Sequence, residues 1–98
     1  FEPGLPALHN DSAVAALARD TAGSLLGREA LLEEDPQMGS EDFSCYLQKI
    51  PGAYCFLGCG GAGKAGSYAH HSPKFDIDES VLWMGAALHA SIAFEYLK

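Results

Sequence analysis

Two histidines carry the clearest chemical potential in this chain, His70 and His71, in the string Tyr68-Ala69-His70-His71-Ser72-Pro73-Lys74-Phe75-Asp76-Ile77-Asp78-Glu79. Neutral imidazole is the commonest metal ligand in proteins, and a ligand needs a stem stiff enough to hold its ring in a cleft. Pro73 stiffens the stem two residues after His71. One histidine cannot hold a zinc ion, which takes three or four ligands, and the remaining sequence offers no convincing set. His71 is therefore either an ordinary loop residue or a ligand whose partners lie on sequence outside this chain. A second stretch, Met38-Gly39-Ser40-Glu41-Asp42, places a serine and two acids behind a glycine. Helix entry explains that pattern without chemistry, since the Ser40 hydroxyl suits an N-cap and the acids complement the positive end of a helix dipole.

Two other patterns are weaker. Gly58-Cys59-Gly60-Gly61-Ala62-Gly63-Lys64-Ala65 matches most of a phosphate-binding loop but lacks the Ser or Thr that would hold Mg²⁺. Such a loop must feed a helix whose amides face the phosphate, and no helical stripe lies between Gly66 and Pro73. It reads as a connection. Cys45, Cys55 and Cys59 form no Cys-x-x-Cys pair, so they read as reduced, mostly buried structural thiols of a cytosolic protein.

The elements that must position these residues can be read from periodicity. Asn10 or Asp11 can cap a first helix, in which Val14, Leu17, Ala18, Thr21, Ala22, Leu25 and Leu26 form one stripe until Gly27 ends it. Ala30-Leu31-Leu32 is short and strand-like. A second helix is expected from Ser40, with Phe43, Tyr46, Leu47 and Ile50 on its apolar side, stopped by Pro51-Gly52. Ala53 to Leu57 then has the continuous apolar character of a strand covered on both faces. Asp76 with Glu79, or Asp78 alone, can cap a last helix whose expected core stripe is Leu82, Ala86, His89, Ala90, Ala93 and Phe94. Alternating helices and strands predict an α/β layer architecture, although two strands are too few to cover three helices.

Composition removes whole classes of function. With 98 residues, 48% of them hydrophobic, the chain fits one small domain. A formal charge of −7 with only six basic residues argues against nucleic-acid phosphates as partners. The apolar runs fall well short of the ~20 residues of a membrane span. The opening Phe1-Glu2-Pro3-Gly4-Leu5-Pro6 lacks a starting Met and any signal-peptide pattern, and reads as an extended connection arriving from another domain of a longer chain.

Four motifs stand in an order and spacing found together elsewhere: Met38-Gly39-Ser40-Glu41-Asp42-Phe43, Pro51-Gly52-Ala53-Tyr54-Cys55-Phe56-Leu57-Gly58, His71-Ser72-Pro73 and Phe75-Asp76-Ile77-Asp78-Glu79. From about Pro6 to Lys98 the chain resembles the C-terminal end of the dinuclear-metal amidohydrolases typified by hippurate hydrolase and N-acyl-amino-acid amidohydrolase. The resemblance implies a three-layer α/β sandwich of aminopeptidase type, with residues 1–9 returning from an inserted lid domain and residues 10–98 forming the C-terminal part of the catalytic domain. It implies two divalent metal ions, zinc or manganese, and His71 as a terminal ligand to one of them. His70 would stand where an apolar residue is usual. The other ligands and the general base, a glutamate, are expected upstream of Phe1, so that the isolated chain would be inactive. In the Met38–Asp42 turn, Gly39 would permit close backbone approach, Ser40 or its amide would contact substrate, and Glu41 or Asp42 would orient a histidine ligand. The implied reaction is hydrolysis of the amide of an N-acyl amino acid or related small amide by metal-activated water, in a cytosolic homodimer joined through the lid. The reading from another class is a non-catalytic α/β interaction module in which the histidines are incidental.

Overall fold

The computed structural model describes residues 3–60 and 68–98. Helix α1 covers Ser12–Leu26 and starts where expected: Asp11 is extended, and its carboxylate accepts hydrogen bonds from the amides of Ala13 and Val14, each at 3.0 Å. It ends at Gly27, whose φ of 92° is open to glycine at little cost and whose amide donates back to the Gly23 carbonyl. A 3₁₀ turn, Arg28–Ala30, follows, and Ala30 to Leu32 forms no strand. Helix α2 is a short piece, Phe43–Leu47. A second 3₁₀ turn, Glu79–Val81, feeds α3, Leu82–Tyr96. Of the two expected caps, Asp78 caps this 3₁₀ turn, accepting from the Ser80 amide, while Asp76 accepts from its neighbour Ile77; α3 itself starts after Val81 without a side-chain cap.

Helices α1 and α3 pack against each other. On α1 the contact is made of small residues, with Ala18, Thr21, Ala22 and Gly23 buried, and the Thr21 hydroxyl is satisfied by the Leu17 carbonyl at 2.8 Å. On α3 the half-buried positions are Met84, Gly85, Ala87, Leu88, Ser91 and Ile92. The expected stripe of Leu82, Ala86, His89, Ala90, Ala93 and Phe94 is the exposed side instead. The reason lies in composition: α3 is apolar nearly all round, so spacing alone cannot say which face is covered.

The α/β sandwich is the larger correction. Among the described residues there is no β-strand, and the architecture is helical. Without a strand among them there is no sheet for the helices to layer on, and the packing that is present is helix against helix, α1 on α3. Ala53 to Leu57 runs outside any sheet. A strand is defined by a repeated ladder with a neighbour, and this segment has a side chain there instead. The Tyr54 amide donates to Asn10 Oδ1 at 2.8 Å, Asn10 Nδ2 donates to the Tyr54 carbonyl at 3.2 Å, and the Asp11 amide donates to the Gly52 carbonyl at 2.9 Å. Asn10 thus imitates a single rung of a sheet. No described helix is long and apolar enough to cross a membrane.

Candidate functional site

The Met38–Asp42 turn is held from within by Glu41. Ser40 does not cap α2. That helix begins at Phe43 with Asp42 before it, and the Asp42 side chain makes no capping hydrogen bond. The Glu41 carboxylate takes the role, accepting from the Phe43 amide through Oε1 and from the Tyr54 hydroxyl through Oε2, both at 3.2 Å. The Glu41 carbonyl accepts from the Ser44 hydroxyl at 2.7 Å and the Ser44 amide at 3.2 Å, and Ser44 is only 1% exposed. The charge of Glu41 pushes the Tyr54 phenol above its ordinary value, with desolvation, the hydrogen bond and the charge of Asp42 adding to it. Around this pair, the rings of Tyr46, Phe43, Tyr54 and Phe56 follow one another in space, tilted or edge-on, at 5.4 to 5.8 Å between centroids. Met38, Gly39, Ser40 and Asp42 are exposed, and nothing lies within 4 Å of where a Cβ on Gly39 would stand.

The histidine stretch is built differently. Local turns shape it, with the Ser72 amide donating to the Ala69 carbonyl and the Phe75 amide to the Ser72 carbonyl at 3.2 and 3.0 Å. Asp78 ties its far end to the Cys59 carbonyl at 2.8 Å. His71 has φ of 68°, the single non-glycine residue with positive φ among those described. Side chains are disfavoured in this left-handed region, and when found there they cluster at functional sites. The kink separates the two histidines. The His70 ring packs edge-on against Phe75 at 5.1 Å, and the His71 side chain makes no hydrogen bond to a described residue.

No hydrogen bond or ion pair among the described residues joins the two stretches. Among the described residues no three His, Cys, Asp or Glu side chains come together to hold a metal ion. His71 therefore stands without partner ligands among the described residues. The glycine-rich loop falls largely on residues 61–67, outside the described residues. The three cysteines are free, as expected, but Cys45 and Cys55 are exposed rather than buried. Tyr54 and Asn10 carry no local signal of their roles, because their contact spans 44 residues of sequence.

Residues 1–95 match the model of peptidase family M20/M25/M40, and the chain belongs to that family. It is 42% identical over 96 residues to IAA-amino acid hydrolase ILR1-like 4 of Arabidopsis thaliana, covering 98% of this chain and 22% of that protein. A second Arabidopsis thaliana protein, IAA-amino acid hydrolase ILR1-like 2, is 43% identical over 98 residues, 99% of this chain and 22% of its own length. Thermostable carboxypeptidase 2 of Saccharolobus solfataricus (strain ATCC 35092 / DSM 1617 / JCM 11322 / P2) is 47% identical over 66 residues, 67% of this chain and 17% of its own. The chain thus spans about a fifth of the length of the curated relatives it matches.

Proposed function

We propose that this segment works within a metal-dependent hydrolase that cleaves the amide bond of N-acyl amino acids or related small amides. The observation that carries this reading is identity above 40% along nearly the whole chain to two proteins named as hydrolases of IAA-amino acids. In this reading His71 is one ligand to one of two divalent ions, zinc or manganese, whose other ligands and general base this segment does not supply. When bound, such ions furnish a water acidic enough to attack an amide carbonyl near neutral pH. The chain's own contribution is positional. The left-handed turn at His71 and the packing of His70 on Phe75 support the choice of His71 over its neighbour. Gly39 leaves the backbone of the Met38–Asp42 turn open to a ligand, which supports a place for the turn on the substrate side. Residues 1–9 are assigned to the return from a lid domain that carries a dimer contact, and residues 10–98 to the catalytic domain.

The test is release of free amino acid from a panel of N-acyl amino acids by the full-length hydrolase carrying this segment, with and without chelator. Chelator-sensitive release, restored by zinc or manganese, is the expected result. Absence of release from every member of the panel would overturn the reading.

A further inference from the structure

We propose that Tyr54 is a positioning residue for the Met38–Asp42 turn, acting through its hydroxyl on Glu41 while Asn10 locks its backbone. The inference rests on the functional reading above, since it gives a role to a turn placed there on the substrate side.

Three independent contacts converge on Tyr54. Its amide and carbonyl are both taken by Asn10, its ring lies 5.7 Å from that of Phe43, and its hydroxyl donates to Glu41 Oε2. With backbone and ring both held, the hydroxyl has little freedom in where it sits. Glu41 in turn reaches the Phe43 amide with its other oxygen, and its carbonyl holds buried Ser44. The chain of contacts runs from the start of α1, through the extended segment, into the first turn of α2. It fixes the residue on which the exposed backbone of Gly39 and Ser40 hangs.

The same contacts divide labour between the two acids. Both carboxylate oxygens of Glu41 are engaged inside the chain, whereas the Asp42 side chain has no hydrogen-bond partner among the described residues. Glu41 is spent on the fold of the turn. Asp42 is the carboxylate left to face outward.

The experiment uses the full-length hydrolase carrying this segment, with Tyr54→Phe, Glu41→Gln and the double variant. The difference between the alkaline absorbance titrations of parent and Tyr54→Phe isolates one phenol. It should titrate above an ordinary tyrosine, and Glu41→Gln should bring it down. Each single variant should raise KM about fivefold with kcat and metal content nearly unchanged, and the double variant should be no worse than either, because both remove one link. Asn10→Ala should raise KM in the same direction. Parent-like KM in Tyr54→Phe, or multiplied losses in the double variant, would sink the positioning role while leaving the hydrolase reading intact. A parent inactive on every N-acyl amino acid would instead sink the hydrolase reading, and the positioning role with it.

Discussion

Two turns lead into helices in this molecule, and they are held in opposite ways. Met38–Asp42 enters α2 anchored by long-range contacts: Glu41 meets Tyr54 across 13 residues, and Tyr54 meets Asn10 across 44. The stretch from Tyr68 to Asp78 enters α3 shaped mostly by bonds between near neighbours, with one tie to Cys59 and one residue forced into the left-handed region. The first turn joins its own local bonds at Glu41 to ties from distant segments. The second carries a local distortion at His71, the residue proposed as a metal ligand. A group that supports a site gains from being embedded, and a group that must reach a metal gains from a stiff stem and a free ring.

Breaking the second turn at its ring should have the largest effect. In the full-length hydrolase carrying this segment, His71→Ala should lower metal content and reduce activity on the order of 100-fold or more. His70→Ala should leave metal content largely intact, since that ring is occupied by Phe75. Metal analysis of both variants checks the contrast, and equal losses would erase the distinction between the two histidines.

The embedded character of the first turn is exposed by Ser44. Replacing it with Val forces extra methyl groups into a site 1% exposed and removes the hydroxyl bond to Glu41. Urea unfolding should show a loss of about 2 kcal/mol. A cost no larger than that of an exposed substitution would mean that the turn is not held from within.

Local distortion at His71 has its own measure. Ala and Gly both remove the ring, but only Gly accepts a φ of 68° without strain. His71→Gly should therefore be more stable than His71→Ala by about 1 kcal/mol in the same unfolding experiment. Equal stabilities would show that the turn relaxes once the ring is gone.

The smallest effect concerns acid. Hydrogen bonds from the Ser80 side chain and amide hold the Asp78 carboxyl below the usual aspartate range. Because the folded value is depressed, its contribution is present above the unfolded value, near pH 4, and is lost as pH falls through the folded one. The Ser80 amide chemical shift should stay constant from pH 7 to about pH 4 and move only below it. Asp78→Asn should flatten that response, and a parent response centred above pH 5 would contradict the cap.

Much of the chain was legible from its residues. Asp11, most of the α1 stripe and Gly27 are signals within a few residues of what they control and stand where the pattern puts them, while Asp78, the second of the two caps offered, caps the 3₁₀ turn before α3 rather than α3 itself. The four motifs were sufficient to place the chain in its family, as residues 1–95 match that family. The roles of His71 and of Met38, Gly39, Ser40, Glu41 and Asp42 remain proposals that the turns make specific.

The rest depended on tertiary structure. An apolar run such as Ala53 to Leu57 states only that it can pair, and the pairing is decided by whichever group reaches its amides, which here is Asn10. An all-round apolar helix such as α3 states that it will pack, and the face is chosen by the small-residue surface of α1. Capping and periodicity are short-range and written in neighbouring residues. Which of several equally apolar surfaces meet, and which side chain closes a hydrogen bond across 44 residues, is settled only when distant segments are brought together.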